Sequence, residues 1–273
     1  MPELPEVETV RRILEHHVSD ALVQRVGGRS ITMRRDLDLP LLKRRLTGRR
    51  LSGFRRRGKY LIVDLDDGGH ALVHLGMSGR LMLQPPEAPR LLHTHLVLHL
   101  DGASELRLVD PRRFGFFVWL PPGGEAEDRS LAALGVEPLD PGLTTVLPPL
   151  LKPRRAPIKA LLLDQHLVAG VGNIYANEAL WRAGIDPRRA PSRISVERLT
   201  NLAGCVRDVL AEACEQGGTT IRDFATPEGD FGYFAVRLAV YGKDGQPCPN
   251  CGQCLVGAPI RGRATTWCPQ CQR

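Results

Sequence analysis

Two stretches, one at each end of the chain, hold residue types spaced for chemistry. The N-terminus reads Met1-Pro2-Glu3-Leu4-Pro5-Glu6. Initiator methionine is commonly removed before a residue as small as Pro2, which would expose a secondary α-amine. An α-amine titrates near about 8, against about 10.4 for lysine, so a larger fraction is free to attack at neutral pH. A secondary amine that attacks a sugar C1′ gives an iminium that cannot lose its charge by deprotonation. That cation is an electron sink and acidifies the neighbouring C2′ protons. Pro5 suits the opening turn of a helix, and Glu6 and Glu8 complement its dipole. Helix-start chemistry thus accounts for these three residues and leaves Pro2 and Glu3 unexplained.

At the other end, Cys248-Pro-Asn-Cys251 is followed, after sixteen residues, by Cys268-Pro-Gln-Cys271. Two knuckles at this spacing match a four-thiolate zinc site. Cys251 and Cys254 form a competing pair, but that choice leaves thirteen residues before Cys268, below the usual range of roughly 15–20. The ligands are therefore assigned as Cys248, Cys251, Cys268 and Cys271. Four thiolates close the coordination sphere, so the expected cofactor is one structural Zn2+ that activates no water. Arg261-Gly262-Arg263-Ala264-Thr265, between the knuckles, reads as a basic hairpin able to grip phosphates. A third element, Gly170-Val171-Gly172-Asn173, precedes a helix. Its glycines permit close backbone approach, and the helix N-terminus favours an anion.

These groups need a scaffold. Val7, Val10, Leu14 and Val18 recur at helical spacing over 5–18. From about 51 to 120 the pattern changes to short strands punctuated by Asp66-Asp67-Gly68-Gly69 and Asp101-Gly102, which predicts an antiparallel sandwich or barrel. Residues 121–153 are rich in proline and glycine and are read as a linker. Helices are expected at about 157–164, just after Gly172, and from near Ser195 to Gln216. Leu199, Leu202, Val206, Val209 and Ala213 form the apolar face of the last, and Gly217-Gly218 ends it. Residues 217–237 read as a mobile loop. The expected domains are thus 1–120, a linker 121–153, 154–238, and a zinc finger over 239–273.

The 273 residues carry a net charge of +7, and only five of the 37 basic residues are lysine, leaving 32 arginines. Arginine forks match phosphate oxygens, so this balance suits a nucleic acid, though a GC-rich genome that favours arginine codons gives the same composition. Seven cysteines without a secretory leader argue against a disulfide framework. No apolar run spans a bilayer, and the expected location is cytoplasmic, in association with the nucleoid.

Several stretches carry a resemblance: PELPEVETVRR at 2–12, RRGKYL at 56–61, HLGMSGRL at 74–81, DPRRFG at 110–115, GVGNIYANE at 170–178, EQGGTT at 215–220 and the cysteine tail. In this order they resemble the bacterial formamidopyrimidine-DNA glycosylases, also called 8-oxoguanine DNA glycosylase or MutM, along the whole chain. The resemblance implies a multidomain α+β fold: an N-terminal antiparallel β-sandwich flanked by helices, then a helix-two-turns-helix domain with a C-terminal β-hairpin zinc finger. DNA would bind between them. It implies a monomeric base-excision repair enzyme that flips out oxidised purines, removes them through a Schiff base on Pro2, and cleaves the strand by β,δ-elimination. By the same resemblance Glu3 is the acid at the sugar, Glu6 its support, Lys59 the proton donor for β-elimination, and Arg263 the phosphate grip linked to δ-elimination. His74, His93, Arg112, Arg154, Lys159 and Asn173 fall at DNA-contacting positions. Met77, Arg112 and Phe114 match a wedge that fills the space left by the flipped base; from pattern alone, Met77 and Phe114 read as core. Asp223, Phe224 and Tyr233 lie in the loop expected over the flipped base and receive no role. Two alternatives are an endonuclease VIII-like enzyme for oxidised pyrimidines, whose start typically reads PEGPE, and a non-catalytic zinc-finger DNA binder.

Overall fold

The computed structural model describes residues 2–218 and 238–273. The chain divides into two compact units, one formed by 1–132 with 217–234 and the other by 133–216 with 235–273. Among the described residues no helix is long and apolar enough to cross a membrane.

The first unit opens with α1 (Leu4–Val18), followed by β1 (Val23–Gly28) and α2 (Leu39–Leu46). Seven strands follow: β2 (Leu51–Arg57), β3 (Tyr60–Leu65), β4 (His70–His74), β5 (Arg80–Gln84), β6 (Thr94–Leu100), β7 (Ser104–Val109) and β8 (Phe116–Leu120). They form two four-stranded antiparallel sheets, ordered β1-β6-β7-β5 and β2-β3-β4-β8. The expected Asp/Gly turns join paired strands: Leu61 faces Val73, and His99 faces Glu105. Val7, Val10, Leu14 and Val18 of α1 share one core with Phe54, Leu61, Val73, Leu96, Leu106 and Phe117. Burying each such side chain contributes about 1.5–3 kcal/mol, and this anchors the start of α1 to the sandwich.

The second unit contains α4 (Leu143–Leu151), α5 (Ile158–Leu162), α6 (Asn173–Arg182) and α7 (Val196–Glu215), then the hairpin β9 (Val256–Ile260) and β10 (Arg263–Trp267). The predicted apolar face of α7 is buried throughout, from Leu199 to Ala213. Ser195 caps the helix by accepting from the Arg198 N–H, and Gly217 and Gly218, both at positive φ, end it.

The stretch expected as a linker is largely folded. A short helix α3 (Arg129–Ala132) and α4 lie within 121–153, and Leu143, Leu147 and Leu151 of α4 are buried. The prolines that suggested an open chain, Pro148 and Pro149, sit inside α4. Leucines spaced at i, i+4 and i+8 outweigh that composition. The boundary between the units falls inside the same stretch, at 132/133. Most of the predicted mobile loop, including Asp223, Phe224 and Tyr233, lies outside the described residues.

Candidate active site and metal centre

Pro2 and Glu3 sit immediately before α1, and both are buried. Glu3 is the N-cap, in extended conformation, and forms a reciprocal capping box with Glu6. The Glu3 N–H donates to Glu6 Oε2 at 2.8 Å, and Thr9 Oγ1 donates to Pro5 O at 2.9 Å. This pairing satisfies amides that a helix start leaves orphaned, and it fixes the backbone that carries Pro2. One turn on, Glu8 receives Arg11, Arg12 and Arg56. Burial raises the Glu8 carboxyl, but the three guanidiniums outweigh burial and hold it below the ordinary range.

Lys59 occupies the second position of the two-residue turn joining β2 to β3, where Arg57 pairs with Tyr60. Gly58 supplies the positive φ of 55° that such a turn needs. The Lys59 side chain is largely buried, so the lysine is held at a tight turn and is not a free surface cation. His74 ends β4, also buried, stacked on Phe116 and close to Tyr60. Its Nδ1 accepts from the Gly76 N–H at 3.0 Å. Burial first, then the Arg34 and Lys59 cations, bring its pKa down to about 3. The DNA-contact expectation for His74 is thus narrowed: the ring is neutral, with Nδ1 committed to the chain.

Met77, Arg112 and Phe114 lie on two loops whose backbones meet. Gly76, at φ +62°, is packed so closely that a Cβ there would come within 2.4 Å of the Phe114 carbonyl carbon. Asp110, fully buried, ties the loops together. Its Oδ1 accepts from Ser78 Oγ (2.9 Å) and the Arg112 N–H (3.2 Å), and its Oδ2 from the Gly115 N–H (2.8 Å). Phe114 is 45% exposed, with the Arg112 guanidinium 4.7 Å from its ring centroid. Met77 is half-buried. Phe114 is therefore not a core residue. His93 is half-buried at a left-handed position, φ +68°.

In the second unit, Asn173 begins α6 and its Nδ2 donates to Ala264 O on the hairpin at 3.0 Å. Arg261 and Gly262, both at positive φ, make the hairpin turn. They leave Arg263 exposed at the start of β10, paired with Ile260. Arg154 is exposed after α4. Lys159 departs from its expected role: it is 0% exposed, and its Nζ donates to Ala264 O and Thr265 Oγ1, each at 2.7 Å. Its ammonium is held by the two hairpin residues that follow Arg263 and is not presented at the surface.

The Sγ atoms of Cys248, Cys251, Cys268 and Cys271 all lie within 4.8 Å of one another, so these four residues could hold a metal ion. Cys254 is exposed and stands outside the group.

Sequence reasoning missed three positioning residues. Asp110 could have been found from Asp-Pro-Arg, because an Asp that accepts from the N–H two residues on is an Asx-turn. Asn177 is buried and bridges α6 to β10: its Nδ2 donates to Asn173 O, and its Oδ1 accepts from the Thr266 N–H. Glu178 accepts the N–H groups of Ala239, Val240 and Tyr241. Both are polar residues inside a helix, and only tertiary partners give them meaning.

Residues 1–117 match the formamidopyrimidine-DNA glycosylase N-terminal domain, and residues 134–225 match the formamidopyrimidine-DNA glycosylase H2TH domain. The formamidopyrimidine-DNA glycosylase of Xanthomonas axonopodis pv. citri (strain 306) is 48% identical over 277 residues, covering 100% of both chains. That of Stenotrophomonas maltophilia (strain R551-3) is 47% identical with the same coverage. Among solved structures, the MutM (Fpg) protein from Thermus thermophilus superimposes with a TM-score of 0.87 at 41% identity, covering 99% of this chain and 98% of that one. Lactococcus lactis Fpg, in complex with N7-benzyl-Fapy-dG containing DNA, gives 0.91 at 33% identity with complete coverage of both. The fold and these matches define a DNA glycosylase of the helix-two-turns-helix class. The chain belongs to the formamidopyrimidine-DNA glycosylase family. The alternatives of an oxidised-pyrimidine enzyme and a non-catalytic zinc finger are not favoured.

Proposed function

We propose that Pro2, once Met1 is removed, is the nucleophile with which this base-excision repair glycosylase and abasic-site lyase removes oxidised purines. The observation that carries this reading is the start of α1, where the capping box with Glu6 holds Pro2-Glu3 in one buried geometry. The Pro2 nitrogen attacks C1′. The glycosidic bond breaks, its electron pair leaves with the base, and the base takes up a proton. Glu3 supplies the acid at the sugar that opens the ring. The resulting iminium drains electrons from C2′: loss of a C2′ proton expels the 3′ phosphate, and loss of a C4′ proton then expels the 5′ phosphate. Water hydrolyses the iminium and frees the amine. Lys59 donates a proton in the first elimination. Arg263, Arg154, Asn173, His93 and Arg112 hold the strand, with Met77, Arg112 and Phe114 filling the vacated stack.

The four-thiolate cluster fits zinc. Bonds of about 2.3 Å to a tetrahedral ion require sulfur atoms about 3.8 Å apart, and Cys248–Cys271 and Cys251–Cys268 are 4.0 and 3.5 Å apart. Bonds from Asn250 Nδ2 to Cys271 Sγ and from the Cys271 N–H to Cys268 Sγ favour thiolate over thiol. One structural Zn2+ would brace the hairpin that carries Arg263 and contribute nothing to bond breaking. The enzyme acts as a monomer on damaged double-stranded DNA in the cytoplasm, in association with the nucleoid.

Borohydride reduction on abasic-site DNA tests the nucleophile. The expected result is a covalent adduct that peptide mapping assigns to Pro2, abolished by one uncleavable residue added before it. An adduct on Lys59 overturns the mechanism.

A further inference from the structure

The second unit contains a concentration of arginine that the reaction leaves unused. Arg155, Arg188, Arg189, Ser192 and Arg193 line an open cavity of about 540 Å3. Arg188 is paired with Asp186 at 2.6 Å and lies over the Trp267 ring at 4.8 Å. Among the described residues, Arg155, Arg189 and Arg193 have no carboxylate within ion-pair distance. Asp186 also acts on Arg189 at longer range, which still leaves an excess of guanidinium charge around one concavity, at a cost in mutual repulsion that a bound polyanion removes.

The backbone beneath is rigid. The Ile158 N–H donates to Arg189 O at 2.8 Å, the Ser192 N–H to Arg154 O at 3.2 Å, and the Arg193 N–H to Ala190 O at 3.0 Å. Lys152 Nζ donates to Ile194 O at 2.6 Å. The cavity thus has a preset shape, and its donors are planar forks suited to phosphate oxygens. It is also continuous with two elements that the proposed function uses. The Ser192–Arg154 bond joins it to Arg154, and Arg188 on Trp267 joins it to β10, the strand that begins at Arg263.

We infer that this arginine pocket is an additional phosphate subsite, occupied by a backbone phosphate of the DNA substrate beyond those held by Arg154, Asn173 and Arg263. The inference rests on the reading of the chain as a DNA-binding glycosylase. A small phosphate ion shares the chemistry. A chain of phosphates is favoured because the cavity is open, larger than one ion, and bordered on two sides by elements that carry proposed strand contacts.

The test uses the full-length, metal-loaded enzyme and a reduced abasic-site duplex. The salt dependence of binding is measured for wild type, Arg193→Gln and Arg189→Gln/Arg193→Gln. Arg207→Gln, at a half-buried arginine beside Asp208 on α7, controls for lost charge. Each phosphate neutralised contributes a slope of about −0.9 in log K against log salt. The double variant is expected to lose about one unit of slope, and Arg207→Gln almost none. Single-turnover cleavage by Arg207→Gln should stay within about twofold of wild type, because that residue lies outside every proposed strand contact. Should Arg189→Gln fail to fold, the exposed Arg193 carries the test alone. Equal slopes for wild type and both pocket variants overturn the subsite. A pocket that binds pyrophosphate in wild type while those slopes stay equal assigns it to small anions and overturns it too. A wild-type enzyme that shows no salt-dependent binding and no borohydride adduct defeats the functional reading instead, so the two failures are separable.

Discussion

At the residue scale, the exposure of Phe114 and the burial of Asp110 divide the labour at the proposed wedge. Phe114 is 45% exposed, whereas Asp110 is sealed and accepts three donors from two loops. Removing Phe114 takes away a side chain that is nearly half in water already. Removing Asp110 strands buried donors, at a cost of about 1–3 kcal/mol. Phe114→Ala is therefore expected to keep its urea midpoint close to wild type while weakening binding of a lesion duplex. Asp110→Ala should lose about 1–3 kcal/mol of stability and weaken lesion binding as well, because both loops relax. A core phenylalanine would instead cost about 3–5 kcal/mol on truncation, so a loss of that size in Phe114→Ala, with binding per folded molecule intact, contradicts the wedge. Pattern reading could not have separated these roles. In Asp-Pro-Arg-Arg-Phe-Gly the apolar Phe114 looks like a strand residue facing inward, and only the approach of Gly76 to the 114–115 backbone turns it outward.

At the element scale, α6 and the β9–β10 hairpin are built as one piece. Asn173, Asn177 and the buried Lys159 all bond to β10, and Glu178 gathers three amides at the start of the cysteine tail. The four-cysteine cluster closes this assembly from the far end of the hairpin. Removing one of its thiolates should loosen Arg263, whereas removing Cys254 should not. Cys254→Ser is expected to retain about one metal per chain by elemental analysis, with wild-type duplex affinity, and Cys248→Ser to lose metal and affinity together. Metal loss in Cys254→Ser with retention in Cys248→Ser would reverse the ligand assignment. Much of this element was legible beforehand. Knuckle spacing selected the four cysteines, Arg-Gly at 261–262 marked the turn, and leucine periodicity gave α7. What escaped was long-range polar pairing. Lys159 reads as a surface cation because nothing within its own helix reveals that Ala264 and Thr265, about a hundred residues later, receive its ammonium. The 121–153 stretch was misread because proline content hid the leucine spacing of α4.

At the scale of the whole molecule, acid stability has a histidine component distinct from that of the carboxylates. His74 is buried and neutral, faced by Arg34 and Lys59, with its pKa brought down from 6.5 to about 3. The unfolded chain therefore takes up a proton at this residue that the folded chain refuses. Stability from His74 is complete above the unfolded value and is lost as pH falls from about 6.5 toward about 3, at up to about 1.4 kcal/mol per pH unit. Glu8 and Asp64 also have lowered pKa values, despite burial, because their arginine partners prevail. Their contribution is present above the ordinary carboxylate range and fades only below it, as pH falls toward their folded values. Between about pH 6.5 and 5 the decline should thus be dominated by histidine and, if the four cysteines hold a metal ion as proposed, by protonation of their thiolates. His74→Asn separates these two. Its amide oxygen can still accept from the Gly76 N–H, it has no titrating ring, and it leaves the cysteine cluster untouched. The variant should be less stable than wild type near neutral pH, through lost packing on Phe116, yet its urea midpoint should fall less steeply between about pH 6.5 and 5. Parallel pH profiles for the two proteins would mean that His74 is protonated in the folded state and that its burial costs the chain nothing on acidification.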